Sequence, residues 1–144
     1  LEKFQDLPGV GSYISAAVLS ISAGVPIPVV DGNVLRVFTR FKGISKDIRK
    51  ASTRKEIFLK LKKVIPLDHP GDFNQALMEL GALACTPKTP VCSFCPFQNR
   101  CVAYRKRLVE VLPFKSLRKK IPEYRVSIGV IVDGGGRFYI QRRP

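Results

Sequence analysis

Leu7-Pro8-Gly9-Val10-Gly11-Ser12 sets a proline and two glycines between two stretches of helical periodicity. Such a run breaks any helix and permits a turn too tight for ordinary side chains. Upstream, Leu1 to Asp6 reads as the end of a helix. Downstream, Ser12 can cap a helix reaching Gly24, with Ile14, Val18 and Ile21 at helical spacing and Ala16, Ala17 and Ala23 allowing close packing. The backbone of such a turn can approach a phosphate closely, and the N–H groups that open the second helix point at it. Pro8, Gly9, Val10, Gly11 and Ser12 are therefore candidate DNA-binding residues that read phosphate rather than sequence. Taken alone, the turn is equally a plain helix–helix connection.

Working outward, Pro26 and Pro28 enforce an extended link, and Val29-Val30-Asp31-Gly32-Asn33 opens a third helix with Val34, Val37, Phe38 and Phe41 on its apolar side. A fourth helix is predicted from about Thr53 to Val64, with Ile57, Leu61 and Val64 inward. A fifth runs from Asp72 or Asn74 to Ala84. The cysteine segment that follows is rich in proline and polar residues, as expected of a loop ordered by metal. Residues 111–124, with Pro113, Pro122 and the basic run Arg118-Lys119-Lys120, read as an interdomain linker. From Arg125 the period falls to two: Val126, Ile128, Val130 and Val132 alternate with Ser127, Gly129 and Ile131. Gly134-Gly135-Gly136 then turns the chain into a second extended run from Arg137 to Arg142, a β-hairpin pattern.

The 144 residues carry 25 basic and 11 acidic side chains, for a net charge of +14. Residues 85–144 hold thirteen of the basic and three of the acidic ones, so the excess gathers around and after the cysteines. That placement points to a polyanion contact there. No apolar stretch approaches the roughly 18 residues of a membrane span, and no signal peptide is visible, so no membrane partner is expected.

Cys85, Cys92, Cys95 and Cys101 are spaced C-x6-C-x2-C-x5-C. Nothing indicates a secretory context, which disfavours disulfides. Four thiolates this close satisfy one tetrahedral zinc or the irons of a cubane cluster. Zinc ribbons usually pair two tight knuckles, whereas here only one pair is tight. The longer arms favour a [4Fe–4S] cluster, with zinc and unliganded cysteines as the alternatives. Lys88, Arg100, Arg105, Lys106 and Arg107 surround the segment, so a metal-stapled loop would present basic side chains to phosphates. Asp31, just before a helix, can act as an N-cap or as a functional carboxylate. Tyr13 and Asn33 each have an equally ordinary helical role, and His69 reads as a surface residue.

Leu-Pro-Gly-Val-Gly, then Val-Asp-Gly-Asn-Val-x-Arg-Val over 30–37, then the cysteine spacing resemble the helix-hairpin-helix DNA glycosylase superfamily that includes endonuclease III. Pro70-Gly71-Asp72-Phe73-Asn74-Gln75-Ala76-Leu77-Met78-Glu79-Leu80-Gly81-Ala82 looks closer still to its adenine DNA glycosylases of the MutY type. The resemblance covers essentially the whole chain. It implies a mainly α fold in which residues 1–110 are the C-terminal part of a helical catalytic domain, with a cluster loop at 85–101. Residues 125–144 would be the start of a truncated Nudix-like α+β recognition domain.

The same resemblance implies base-excision repair: hydrolysis of the N-glycosidic bond of an adenine mispaired with 8-oxoguanine or guanine in double-stranded DNA, by a monomer. Asp31 would be the essential carboxylate, stabilising the oxocarbenium-like sugar. Asn33 would orient near it, and the four cysteines would hold [4Fe–4S]. Members that also cut the backbone carry a lysine where Tyr13 stands here, so a monofunctional enzyme is implied. The family's general-acid glutamate lies on a helix before the hairpin, and Glu2 is too close to the turn to be it. The expectation is thus a fragment that lacks that acid and is inactive on its own. The expected compartment is the bacterial cytoplasm at the nucleoid, or the nucleus or mitochondrion of a eukaryote. An endonuclease III-like pyrimidine-lesion glycosylase is the first alternative, and a non-catalytic metal-stapled DNA-binding module the second.

Overall fold

The computed structural model describes residues 2–117, 122–126 and 128–142. Leu1 of the expected first helix, Arg118-Lys119-Lys120 of the linker, Ser127 of the alternating stretch and Arg143-Pro144 lie outside the described residues. Six α-helices are present among those described: α1 (Glu2–Gln5), α2 (Ser12–Ala23), α3 (Gly32–Lys42), α4 (Ala51–Lys62), α5 (Pro70–Glu79) and α6 (Val102–Arg105). Helix α3 is the axis of the assembly. It packs on α4, α5 and α6, and its residues 34–40 are all buried. Val34, Leu35 and Phe38 join Ile44, Ile48, Ile57 and Leu61 in one core, with Phe73, Leu77 and Met78 of α5 packed against it.

The bulky apolar side chains of α2 are turned away from α5. Ile14, Val18 and Ile21 are each at least 40% exposed, while Ser15, Ala16 and Ser20 are buried toward α5. Small side chains let two helix backbones approach, so α5 takes the face of α2 with less bulk. Helix α5 starts at Pro70 rather than at Asp72 or Asn74. A proline in the first turn gives up an N–H that would be unpaired there anyway. Helix α4 starts at Ala51 rather than Thr53 and stops at Lys62, so Val64 has left the helical spacing and is 60% exposed. Helix α5 ends at Glu79, and Leu80–Ala84 continues it as a wider π-turn that Cys85 N–H closes on the Leu80 carbonyl at 2.6 Å.

One buried amide fixes the extended link ahead of α3. The Asn74 carbonyl oxygen accepts from Val29 N–H at 3.0 Å, and its amide donates to Ser20 Oγ and the Ile27 carbonyl, both at 2.9 Å. Replacing Asn74 with Ala leaves those groups unpaired out of reach of water. The urea midpoint is expected to fall by the equivalent of about 3 kcal/mol at unchanged m. A wild-type midpoint would show that the link is held by something else.

The two-stranded hairpin of 125–142 is not formed as such: among the described residues there is no strand, only an isolated antiparallel bridge between Val132 and Phe138. Val126, Ile128, Val130 and Ile131 are all exposed, and two strands without a packing partner are marginal. The turn itself is well made, and Asp133 organises it. Its carboxylate accepts from Gly135 N–H and Arg137 N–H at 2.9 Å and pairs with Arg137 Nε at 2.8 Å. These bonds, the backbone one from Arg137 first, hold the Asp133 carboxyl below its ordinary pKa.

Candidate active site

The turn between α1 and α2 is closed by Val10 N–H on the Leu7 carbonyl at 3.0 Å, and Gly9 sits at φ +82°, a region open to glycine. Gly11, not Ser12, is the N-cap of α2, and no side chain caps it. The correction follows from backbone shape: Gly11 is extended and Ser12 is already helical. The first N–H groups of α2 are therefore left by the protein's side chains at an exposed turn, where an anion can take them.

Asp31 is the N-cap of α3. Its Oδ1 accepts from Val34 N–H at 2.7 Å, and its Oδ2 accepts from the Asn33 amide at 3.1 Å. The carboxylate thus has a fixed rotamer and a half-buried position. It lines, together with Tyr13 of α2, a cavity of about 380 Å³ whose other walls include Leu35, Ile48, Arg49, Arg54 and Lys115. Asp31 and Tyr13 line this cavity and Asn33 bonds to the Asp31 carboxylate, while Pro8–Ser12 form the separate exposed turn.

Beyond Asn33 the hydrogen bonds continue into the cysteine loop. Arg36 Nη2 donates to Asn33 Oδ1 at 2.8 Å and to the Gly81 carbonyl at 2.7 Å, and Arg36 Nε donates to the Cys85 carbonyl at 2.6 Å. One turn later, Arg40 donates to the carbonyls of Leu112, Thr86 and Pro87 at 2.8, 2.7 and 3.0 Å, and to Cys85 Sγ at 3.4 Å. Both guanidinium groups are buried. Desolvation lowers the Arg36 pKa from its ordinary value, and the nearby Cys85 thiol partly opposes it. Neither arginine stands out from residue type alone. The available signal was two arginines at i and i+4 among the apolar positions of one helix.

Gly81 makes this junction possible. A Cβ there would lie 2.6 Å from Asn33 Cβ and 3.0 Å from Asn33 Cα, with no flexible end to yield. Gly81→Ala is expected to cost about 1–3 kcal/mol in thermal unfolding as the π-turn is pushed off α3. An unshifted transition would mean that the turn relaxes freely.

The four cysteines line one small cavity together with Arg40, Ala84, Gln98, Tyr104 and Val109. All are half-buried and none is in a disulfide. Cys92 opens a 3₁₀ turn that Cys95 N–H closes on its carbonyl at 3.1 Å, and Cys101 is the N-cap of α6. Among the described residues no group of three or more His, Cys, Asp or Glu is placed to hold a single metal ion. Burial raises the Cys92 and Cys95 thiol pKa values. Their neighbours' negative charge raises both further, and Phe97 N–H partly offsets the rise at Cys95. Four thiols around a shared cavity, with Cys92 and Cys95 disfavoured as lone thiolates, are a donor set that a polynuclear cation would relieve, so the residues fit the expected cluster.

No family model matches the chain. It is 47% identical over 103 residues to an adenine DNA glycosylase of Schizosaccharomyces pombe, covering 72% of this chain and 22% of that protein. It is 33% identical over 136 residues to the adenine DNA glycosylase of Buchnera aphidicola subsp. Schizaphis graminum, covering 94% of this chain and 39% of that one. In fold it matches a thermostable thymine-DNA glycosylase with a TM-score of 0.65 at 31% identity, over 73% of this chain and 48% of that one. Endonuclease III in a non-covalent DNA complex matches with a TM-score of 0.62 at 29% identity, over 74% and 48%. The chain therefore spans less than half the length of these relatives. Over the length it does span, it belongs to the helix-hairpin-helix DNA glycosylases and, by sequence, to their adenine DNA glycosylase group.

Proposed function

We propose that the protein is a monofunctional adenine DNA glycosylase that acts, as a monomer, on adenine opposite 8-oxoguanine or guanine in duplex DNA. The observation that carries this reading is the Asp31 carboxylate, fixed by Val34 N–H and Asn33 in a cavity shared with Tyr13, in a chain similar to adenine DNA glycosylases. The adenine nucleotide flips out of the duplex and its sugar comes to Asp31. As the N-glycosidic bond breaks, positive charge builds on the sugar and the fixed carboxylate stabilises it at no cost in reorganisation. Tyr13 supplies no amine for a Schiff base, which supports hydrolysis without strand cleavage. Gly9–Gly11 and the first turn of α2 hold a phosphate.

Cys85, Cys92, Cys95 and Cys101 would hold a [4Fe–4S] cluster, whose iron–thiolate bonds staple the basic loop 85–101 in the shape that meets DNA. Residues 1–110 form part of the catalytic domain, and residues 125–144 begin a Nudix-like recognition domain beyond the 111–124 linker. The protein works where DNA is kept, at the bacterial nucleoid or in the nucleus or mitochondrion. Among the described residues no helix is long and apolar enough to cross a membrane.

The test is single-turnover adenine release by the full-length protein from a duplex with adenine opposite 8-oxoguanine, followed by gel analysis without alkali. Adenine release with the strand intact is the expected result. Release of an oxidised pyrimidine with strand cleavage would favour the endonuclease III-like alternative.

A further inference from the structure

The cavity around Asp31 carries charges that sugar chemistry does not call for. Arg49, Arg54 and Lys115 line the same space of about 380 Å³ as the carboxylate and Tyr13. They reach it from three places: the connection between α3 and α4, the first turn of α4, and the segment after Leu112. A positive charge beside a forming sugar cation opposes it, and does so more strongly in a partly enclosed cavity than in open water. Three such charges beside the reacting sugar would slow the reaction unless an anion neutralises them.

Two of the side chains are pre-set by the backbone around them. Arg49 Nη1 donates to the Ser116 carbonyl, and Arg54 Nε donates to the Ile48 carbonyl at 2.9 Å. Ile48 N–H in turn donates to the Phe114 carbonyl at 3.1 Å, which ties the Lys115 segment to the same connection. Asp47 Oδ1 accepts from Arg49 N–H at 2.9 Å and holds the bend. Each guanidinium thus gives one identified bond to a carbonyl and keeps other N–H groups for a ligand. Among the described residues none of the three cations forms an ion pair with a carboxylate. Planar donor forks with an ammonium beside them suit a phosphate diester.

We infer that Arg49, Arg54 and Lys115 form a second phosphate grip, which takes a backbone phosphodiester of the strand carrying the reacting nucleotide. The inference rests on the glycosylase reading and deepens it. One phosphate is held by the Gly9–Gly11 turn and another by this cluster, so the intervening sugar is anchored on both sides over Asp31. The bound phosphate cancels the repulsion that the three cations would otherwise exert. Arg49, Arg54 and Lys115 are positioning residues, since they act on the sugar through the strand they hold.

The experiment measures binding of the full-length protein to a duplex bearing a stable abasic-site analogue opposite guanine, across a range of salt. Lys115→Gln and the double variant Arg49→Gln/Lys115→Gln are compared with wild type. Each lost phosphate contact is expected to reduce the slope of log K against log salt by about 0.9. A neutral methylphosphonate is then placed at each phosphate flanking the analogue in turn. At one position it should weaken wild type about tenfold and leave the double variant unaffected, the non-additivity of two groups in contact. If Arg49→Gln disturbs the Ser116 contact, the exposed Lys115→Gln still reads the slope alone. Unchanged slopes, or methylphosphonate losses equal in wild type and variant at every position, overturn the grip while leaving the glycosylase reading in place. No binding to duplex by wild type overturns both.

Discussion

Asp31→Asn is expected to lower the single-turnover rate of adenine release by about 10³-fold, while the folded protein remains as stable as wild type. The two halves of that expectation come from different atoms. The replacement amide keeps an oxygen that can accept from Val34 N–H, and Asn and Asp are close to equivalent as helix N-caps. What is lost is the negative charge beside the developing sugar cation. Fixed electrostatic groups at such sites are worth about 10²–10³ in rate even when they are neutral donors, so a full charge belongs at the upper end. Asp31→Ala separates the roles further, since it removes the cap as well and should lower stability by about 1 kcal/mol. Adenine release by Asp31→Asn at the wild-type rate would leave Asp31 with capping alone.

The second large effect is on stability. Arg40→Met is expected to lower the unfolding free energy by about 3–5 kcal/mol and to open the 85–101 loop to limited proteolysis. Arg40 is 2% exposed, and one guanidinium serves carbonyls of residues 86, 87 and 112. Methionine fills similar space yet leaves those carbonyls without a donor, and the buried Leu112 carbonyl has no water to turn to. Against a total stability of about 5–15 kcal/mol, that loss is a large fraction. Arg40→Lys should recover only part of it, because an ammonium cannot fork across separate carbonyls. A urea midpoint and a cleavage pattern both unchanged in Arg40→Met would show that the loop is held without α3.

Much of the candidate site was legible because its residues are forced by local chemistry. Gly9 and Gly11 announce a tight turn, Asp31 announces a helix start, and the cysteine spacing announces a shared centre, each within a short window. The bonds from Arg36 and Arg40 toward the cysteine segment join residues 45 to 49 apart in the chain, beyond any window. Helical periodicity found α2 but left open which of its faces would be covered. It tells which side chains stand together, not which side a neighbouring backbone will take, and α5 took the serines and Ala16. Arg49, Arg54 and Lys115 read as ordinary surface charge until the fold brings them to one cavity.

The π-turn at Leu80–Ala84 has a further consequence for how such a sequence can drift. It holds the Gly81 and Cys85 carbonyls at the two reaches of a single guanidinium. A one-residue deletion there would tighten the turn to an ordinary α-helix and swing the Cys85 carbonyl by about 100° around the axis. The segment therefore acts as a gauge of fixed length between α5 and the cysteines, and its residue count is not free to change.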